Sequence, residues 1–332
     1  MKLILKLSLV LFLCVLALLA GQSWRDWQAF QSSAVNPDGD MYLWLAPGSH
    51  YGDLVEKLQR LGLAKARWEW RILGRLKNPQ LKAGEYFIES GTTLSGLLDQ
   101  LAQGQIRQHR LTIVEGWTVA RLRAELADDP RLISEVVGVS ESDLMTRLGC
   151  EGCFAEGWFL PETYFFGRGS SDLDILQRAH DAMRDALTTT WSGRDAAAPL
   201  SSPEELLVLA SIIERETGAD GERGRVAGVF ARRINLGMRL QTDPTVIYGL
   251  GPEFEGRLRR VHLRTDHPWN TYTRHGLPPT PIALPGLESL RAAARPAPGT
   301  ALYFVARGDG THQFSDTLAE HNAAVNRYIR GR

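Results

Sequence analysis

Two glutamates lie in the otherwise apolar segment LASIIERETG, residues 209–218. In a helix, which advances about 100° per residue, Glu214 and Glu216 flank the apolar face and neither falls on a polar stripe. Burial raises the pKa of a carboxyl, so such a group can stay protonated at neutral pH and act as a general acid towards a glycosidic oxygen. Alternatively, each glutamate pairs with an arginine of the following segment, ERGRVAGVFARRINLGMRL. Helical geometry does not choose between the two glutamates.

The helix that carries both glutamates has a recognisable beginning and end. Ser202 fits an N-cap, Pro203 the first helical position and Glu205 the acidic position of a capping box. Gly218 fits the C-terminal stop. Because the intervening residues are apolar almost all round, we expect protein to enclose this helix.

Two later segments supply candidates for binding a substrate. In GMRLQTDPTVIYGLG, Gln241, Thr242 and Asp243 precede the next helix, and capping by Thr242 or Asp243 explains one of the three residues but not all. In HPWNTYTRHGLPPTPIALPG, Asn270 and Tyr272 lie in a proline-rich loop. Aromatic faces with amide and hydroxyl groups suit a groove for an uncharged sugar polymer. Turn formation is the alternative explanation for Asn270 and the prolines.

The histidines give no sign of a metal site. The eight histidines show no H-E-x-x-H spacing and no paired set of ligands, so we predict no metal and no cofactor. His312 and His321, in a predicted C-terminal hairpin and helix, are expected on exposed faces. A role as proton shuttle is the alternative.

The N-terminal residues 1–27 predict a membrane anchor with a short cytoplasmic tip. The apolar run is intermediate in length between a secretory signal of about 7–15 residues and a span of about 20. A poor match to a signal-peptidase site favours an uncleaved anchor. Lys2 and Lys6 before the run, with Trp24 and Trp27 after it, predict a single pass of the inner membrane with the N-terminus inside. The rest of the chain is then periplasmic or otherwise extracytoplasmic.

Composition divides the remaining chain into a linker and two folded parts. Residues 28–40 are polar and turn-rich and predict a linker. Residues 41–105 contain strand, turn and helix twice, the ingredients of a small LysM-like carbohydrate-binding subdomain; any other small α+β domain is the alternative. Residues 106–332 contain the glutamate helix and predict a larger mixed α+β catalytic domain. The predicted fold class is therefore α+β, with a single N-terminal transmembrane helix.

Local patterns give finer expectations for residues 41–105. Ser49 is expected to cap a helix with Leu54, Leu58 and Leu61 on its apolar face. Core packing is favoured over sugar stacking for the neighbouring Trp68 and Trp70.

The charge balance and the cysteines bear on two further classes of function, nucleic-acid binding and redox catalysis. Lys plus Arg and Asp plus Glu each total 38, and without a long run of one sign we predict no binding of nucleic acid. Cys150 and Cys153, in CEGC, are expected to form a structural disulfide in an oxidising compartment. Free thiols and a redox enzyme are the alternatives, but a redox enzyme requires a helix directly after a strand, and residues 154–157 have the composition of a loop.

Several segments together resemble the endolytic murein (peptidoglycan) transglycosylases. The matching segments, which follow the family order, are LTIVEGWT, EGWFLPETY, LASIIERET, RLQTDPTVIYGLG, NTYTRHGLPPTPIALPG and LYFVARGDGTHQF. The resemblance implies a membrane-anchored lyase that cuts peptidoglycan glycan strands internally and leaves 1,6-anhydro-N-acetylmuramic acid ends. It also implies that Glu214, the first glutamate of its segment, is catalytic.

On this hypothesis Glu214, kept protonated by apolar surroundings, serves as acid and then as base. Gln241, Thr242, Asp243, Asn270 and Tyr272 are the residues predicted to hold the sugar. Glu216 is placed in the substrate-binding set, where an arginine behind the site is its expected partner.

Two other functions remain open from the sequence. A peptidoglycan hydrolase needs a second carboxyl; the candidates are Glu216, Asp243, Glu162 and Asp266. A non-catalytic scaffold would grip glycan and dock cell-wall synthesis enzymes such as penicillin-binding proteins.

Overall fold

The computed structural model describes residues 2–35, 39–64, 68–77, 80–219, 221–251, 254 and 256–331, and has a mixed α and β fold. The chain forms two compact units, one of Met1–His109 with Phe166–Gly169 and one of Arg110–Phe165 with Ser170–Arg332. The helices are α1 Lys2–Ser32, α2 Tyr51–Arg60, α3 Glu69–Lys77, α4 Leu94–Gln103, α5 Val119–Ala127, α6 Glu141–Arg147, α7 Asp172–Ser192, α8 Pro203–Glu216, α9 Arg223–Asn235, α10 Asp243–Gly249, α11 Arg260–Arg264, α12 Leu287–Ala294 and α13 Leu318–Tyr328. The strands are β1 Met41–Leu45, β2 Gly84–Ile88, β3 Gln108–Thr112, β4 Thr163–Gly167, β5 Tyr303–Ala306 and β6 His312–Ser315.

Helix α1 is long and apolar enough to cross a membrane. Its 27 residues from Lys6 to Ser32 contain a window of mean hydropathy 2.1 in which no residue is buried by the rest of the described chain. About 20 apolar residues span a bilayer, so the helix is compatible with a single-pass anchor. It continues beyond residue 27, where the linker was predicted, and Phe30 and Val35 are buried in the first unit. Residues 36–38 of that linker lie outside the described residues.

The first unit is built on an antiparallel pair of strands. β1 and β2 pair from Met41 with Ile88 to Leu45 with Gly84, and α2 and α3 lie between them in the chain. Side chains alternate between the two faces of a strand. Leu43 and Leu45 therefore lie on the same face, which is buried in the core. The core is completed by the apolar faces of the helices, with Leu54, Leu58, Trp70, Leu73, Leu94, Leu97, Leu98 and Leu101.

Three local predictions for this unit were wrong. The N-cap of α2 is His50, not Ser49; the Asp53 carboxylate accepts a hydrogen bond of 2.6 Å from the His50 N–H. Leu61 is the C-cap of the helix and is exposed. Trp70 is buried as predicted, but Trp68 is exposed because it precedes the first turn of α3.

The second unit is organised around α8. Ser202 is its N-cap and accepts a hydrogen bond of 3.3 Å from the Glu205 N–H, with Pro203 in the first turn. All eight residues from Leu206 to Ile213 are buried. Helices α7, α9, α10 and α12 pack against α8. The prediction of an enclosed helix that ends just before Gly218 is therefore confirmed, and its last turn carries Glu214 and Glu216.

A short disulfide loop precedes a buried acid. Cys150 and Cys153 are bonded, as predicted, and residues 154–157 form turns and loop. Glu156 is buried, accepts a hydrogen bond of 3.1 Å from the Val119 N–H at the start of α5 and is hydrogen-bonded to Tyr248. Burial raises the pKa of Glu156 to about 7.

We expect Glu156→Gln to make stability less dependent on pH. The unfolded chain loses this proton near the ordinary pKa of 4.5 and the folded chain near 7, so wild-type stability falls as pH rises between these values. The neutral amide has no proton to lose, so the variant keeps up to about 3 kcal/mol of free energy of unfolding that the wild type loses over this pH range. Melting temperatures at pH 5 and pH 8 test this: the variant should match the wild type at pH 5 and exceed it at pH 8. An equal gain in the control Glu204→Gln, which removes an exposed carboxylate, would attribute the effect to net charge instead.

The C-terminal segment is a hairpin followed by a helix, as predicted. β5 and β6 are antiparallel, from Tyr303 with Ser315 to Ala306 with His312. Thr317 caps α13 in a capping box with Glu320. The helix packs on both strands.

Candidate active site

The Glu214 side chain is fixed by polar contacts. Its carboxyl is 5% exposed. The Oε2 atom accepts hydrogen bonds from the Gly286 N–H at 2.9 Å and the Ser289 hydroxyl at 2.8 Å. The Oε1 atom lies 3.5 Å from a terminal nitrogen of Arg223. The predicted burial is therefore found, whereas the expected apolar surroundings are not.

Two elements, α12 and α9, bring these partners to α8. Gly286 is the N-cap of α12, and Ser289 lies in its first turn and is fully buried. Arg223 is the first residue of α9 and its Nε donates to the Ser289 hydroxyl at 3.3 Å. The Ser289 hydroxyl therefore accepts from the guanidinium and donates to the carboxylate, which fixes its orientation.

A second carboxyl, Glu115, lies in the same cluster. Its Oε2 atom is 3.6 Å from the Arg223 nitrogen that contacts Glu214, and its side chain is 46% exposed. A Cβ on Gly286 would overlap the Glu115 Oε1 atom, so the side chain rests against the residue whose N–H binds Glu214. Burial, and after it the charge of Glu214, raise the pKa of Glu115.

Sequence reasoning missed Glu115, Arg223 and Ser289 as parts of this site. Glu115 belongs to LTIVEGWT, one of the segments that carry the family resemblance, and that was the available signal. The neighbouring Gly116 has a φ of +77°, and its N–H donates to the Leu284 carbonyl at 2.9 Å. Since a positive φ favours glycine, the turn that holds Glu115 against residues 284–286 depends on Gly116.

A pocket of about 670 Å³ contains four of the predicted substrate-binding residues. They are Glu216, Gln241, Asp243 and Tyr272. The Tyr272 hydroxyl donates to the Asp243 carboxylate at 2.6 Å. Gln241 adopts a φ of +52°, which is uncommon for a residue other than glycine. Glu214 is not among the described residues that line this pocket.

Glu216 reaches the pocket from the end of α8. Its carboxyl accepts a hydrogen bond from the Thr242 hydroxyl, and burial raises its pKa. Arg233 lines the same pocket, but its guanidinium donates to the carbonyls of Leu302, Arg239 and Leu240. The described contact of Glu216 is thus a hydroxyl, where an arginine was expected.

Thr242 and Asn270 are brought near the pocket but not to its surface. Thr242 is 2% exposed and Asn270 is fully buried. The Asn270 side-chain NH₂ donates to the carbonyls of His262, Leu263 and Thr265, and its Oδ1 accepts from the Tyr272 N–H at 2.9 Å. Asn270 therefore fixes the loop that presents Tyr272.

The expectation that His312 and His321 lie on exposed faces was wrong. Both line the pocket, and His321 stacks on Tyr303 with ring centroids 5.2 Å apart. The hairpin and α13 line the same pocket as Glu216, so the residues they direct into it are partly covered. His321 Nδ1 is buried without a hydrogen-bond partner.

Consecutive residues at the start of α9 connect the pocket with the Glu214 cluster. Glu222 accepts hydrogen bonds from the His312 ring nitrogen at 2.7 Å and from the His312 N–H. The next residue, Arg223, contacts Glu115 and Glu214. Two adjacent residues, Glu222 and Arg223, therefore join the pocket to the cluster.

The other candidate second carboxyls have different surroundings. Asp266 is exposed and accepts hydrogen bonds from Arg274 and Thr273, which lower its pKa to about 2. The charge of Glu162 contributes to the raised pKa of Glu115. Among the described residues, no group of three or more potential metal ligands is found.

The fold and these side chains define a class of protein: a mixed α and β protein with a candidate membrane helix, a pair of carboxyls bridged by a guanidinium, and an adjacent pocket lined by aromatic and amide groups. A family model described as the YceG-like family matches residues 43–327. The chain therefore belongs to the YceG-like family.

Individual relatives agree with this assignment. The chain is 28% identical over 300 residues to a Bacillus subtilis protein named endolytic murein transglycosylase, over 85% of this chain and 83% of the relative. A Streptococcus pneumoniae protein of the same name is 24% identical, over 98% of this chain and 66% of its own length. The crystal structure of a YceG-like protein from Listeria monocytogenes is similar with a TM-score of 0.51 and 28% identity, over 86% of this chain and 98% of that one.

Proposed function

We propose that this chain is an endolytic lytic transglycosylase of peptidoglycan. It cleaves the bond between N-acetylmuramic acid and N-acetylglucosamine within glycan strands, leaves 1,6-anhydro ends and thereby terminates growing strands. The observation that carries the proposal is the nearly buried, fixed carboxyl of Glu214 in a chain whose relatives are named endolytic murein transglycosylases.

Glu214 is the proposed catalytic residue. Its carboxyl gives a proton to the glycosidic oxygen as the bond from C1 to that oxygen breaks. The resulting carboxylate takes the proton of the muramic acid C6 hydroxyl as that oxygen bonds to C1. One carboxyl thus serves in both steps and ends with the proton it started with. The Gly286 N–H and the Ser289 hydroxyl hold Oε2, which leaves Oε1 for proton transfer.

The pocket beside the cluster is the proposed site for the neighbouring sugars. Tyr272 and Tyr303 offer aromatic faces, and Gln241 and Asn322 offer amides. These groups suit N-acetylated sugars, which combine apolar ring faces with amides and hydroxyls. Thr242 and Asn270 contribute by holding Glu216 and Tyr272 in place.

The remaining parts of the chain are proposed to place this site at the cell wall. Residues 1–27 anchor the protein in the inner membrane with the N-terminus inside, and residues 28–40 lead to the extracytoplasmic part. Residues 41–105 form a LysM-like glycan-binding subdomain, a role supported by the order strand, helix, helix, strand and by the antiparallel pairing of β1 with β2. Residues 106–332 form the catalytic domain. Penicillin-binding proteins are the proposed partners.

Mass analysis of product ends tests the proposal. The full-length chain in detergent micelles is incubated with purified peptidoglycan sacculi, and the released fragments are analysed. Fragments with 1,6-anhydro ends are expected. Reducing ends would identify a hydrolase, and an absence of fragments at all enzyme concentrations would identify a non-catalytic scaffold.

A hydrolase is the second candidate because Glu115 lies beside Glu214. Two oxygens that each lie within 3.6 Å of one Arg223 nitrogen are no further apart than twice that distance. Glycoside hydrolases use carboxyl pairs about 5–9.5 Å apart. Glu115, which is not among the four candidates from the sequence, is therefore a candidate second carboxyl.

We expect fragment release to continue in excess EDTA, because protonation by a carboxyl needs no metal ion. The measurement compares the rate of fragment release with and without the chelator after extensive dialysis. A loss of activity that added divalent cations restore would contradict the proposed mechanism.

A further inference from the structure

His312 on β6 is held at the pocket by a carboxyl that the proposed mechanism does not use. The His312 side chain is 10% exposed and lines the pocket. The carboxyl of Glu222, whose side chain is 13% exposed, contacts the His312 main-chain N–H at 3.1 Å and the ring Nδ1 at 2.7 Å. The rings of Phe304 and Phe314 meet the imidazole edge to face, with centroids 5.4 Å and 6.4 Å away. These polar and aromatic contacts together fix the ring in one orientation.

The contact with Glu222 decides which ring nitrogen carries the hydrogen. A carboxylate only accepts hydrogen bonds, so the contact with Nδ1 requires the hydrogen on that nitrogen. In the neutral ring Nε2 is then an acceptor. Among the described residues Nε2 of His312 has no hydrogen-bond partner, and it is not one of the fully buried atoms that lack one. Because His312 lines the pocket, this lone pair is open to a bound molecule.

The other polar groups of the pocket indicate what such a molecule must offer. The Tyr272 hydroxyl already donates its hydrogen to Asp243. The Nε and one terminal nitrogen of Arg233 donate to backbone carbonyls. Since the protein uses these donors itself, the open acceptor at His312 suits a ligand that brings its own O–H or N–H groups. N-acetylated sugars bring both.

We propose that His312 is a substrate-binding residue whose Nε2 accepts a hydrogen bond from an O–H or N–H group of the sugar in the pocket, and that Glu222 is its positioning residue. This inference rests on the proposed function, in which the pocket holds the sugars beside the cleaved bond. Arg223, the residue after Glu222, contacts Glu214. A sugar held at His312 therefore has a defined place relative to the acid, which is what a transfer of its proton requires.

The test measures by calorimetry how a soluble tetrasaccharide of alternating N-acetylglucosamine and N-acetylmuramic acid binds to the full-length chain in detergent micelles. The parent chain carries Glu214→Gln, which suppresses turnover. In His312→Asn the amide NH₂ takes the place of Nδ1 and can still donate to Glu222, but nothing takes the place of Nε2. We expect Kd to rise about tenfold, because a sugar O–H or N–H then lacks its acceptor. The longer side chain of His312→Gln reaches the place of Nε2 and should recover part of the affinity.

His275→Asn in the same parent chain is the matched control. The Nδ1 of His275 also contacts an acceptor, the Gly237 carbonyl at 2.9 Å. The residue is exposed, however, and is not among the described residues that line the pocket. Its Kd should equal that of the parent chain. Melting temperatures of all variants verify folding.

A second readout uses the unsubstituted ring. In ¹⁵N NMR of the parent chain, the tetrasaccharide should move the Nε2 resonance of His312 and leave its Nδ1 resonance in place. Glu222→Gln tests the positioning role: the amide oxygen accepts from the His312 N–H and the NH₂ donates to Nδ1, so the ring hydrogen moves to Nε2. This move is visible in the ¹⁵N spectrum, and Kd should rise as in His312→Asn. A hydrogen that stays on Nδ1 would overturn the role of Glu222.

Four results would overturn the role of His312: a parent chain that does not bind the tetrasaccharide, an unchanged Kd in His312→Asn, an equal loss in His275→Asn, or an Nε2 resonance that the tetrasaccharide leaves unmoved. If His312→Asn melts at a lower temperature than the parent chain, the NMR readout decides. Failure of the proposed function is read separately, from the wild-type product ends.

Discussion

Glu214→Gln is expected to lower the rate of fragment release from peptidoglycan by about 10²- to 10⁴-fold, the usual contribution of a general acid or base. The amide has nearly the shape of the carboxyl and its oxygen can still accept from the Gly286 N–H and the Ser289 hydroxyl, the two donors to Oε2. It cannot give a proton to the glycosidic oxygen. The loss should therefore appear in kcat, with the melting temperature nearly unchanged.

Glu216→Gln is the informative comparison, because the two glutamates share the last turn of α8. Burial raises the pKa of Glu216, and a neutral amide keeps nearly the shape of its carboxyl. Its carboxyl accepts from Thr242 at the pocket. We expect a smaller effect, chiefly on KM. A fully active Glu214→Gln with an inactive Glu216→Gln would move the chemistry to the pocket and reject the present assignment.

The elements of the fold were largely predictable because their signals are local. Ser202, Pro203 and Glu205 define the start of α8 within four residues of sequence, and the apolar periodicity of α4 and the β5–β6 hairpin is equally local. Where a local pattern offered two neighbouring solutions, as at Ser49 and His50, the prediction failed by one residue. An N-cap contributes only about 1 kcal/mol to the stability of a helix, so the sequence pattern does not distinguish between two neighbouring cap positions.

The surroundings of the site residues were not predictable in the same way. The burial of Glu214 followed from the helical pattern, but its partners come from the start of α9, from α12 and from the turn after β3. No spacing rule joins these segments. His321 shows the same limit, since its exposure depends on how α13 packs on the hairpin and how both line the pocket.

Asn270→Ala is expected to act mainly on stability, although the sequence placed Asn270 among the sugar-binding residues. The substitution leaves three carbonyls and the Tyr272 N–H without their side-chain partner at a fully buried position. Unsatisfied buried groups of this kind cost about 1–3 kcal/mol each and are not additive, so we expect a total of about 2–4 kcal/mol. For a unit of this size the melting temperature should fall by about 5–10 °C.

Tyr272→Phe separates this role from direct contact with the sugar. It removes the hydroxyl that donates to Asp243 at the pocket and leaves the loop's backbone contacts in place. We expect an unchanged melting temperature and a KM raised about 2- to 10-fold, the range for one hydrogen bond. If Asn270 instead bound the sugar itself, Asn270→Ala would reproduce this pattern of a raised KM without loss of stability. We expect the loss of stability, because the Asn270 amide is fully buried and has no exposed surface to offer a ligand. Its NH₂ already donates to backbone carbonyls, and its oxygen already accepts from a backbone N–H.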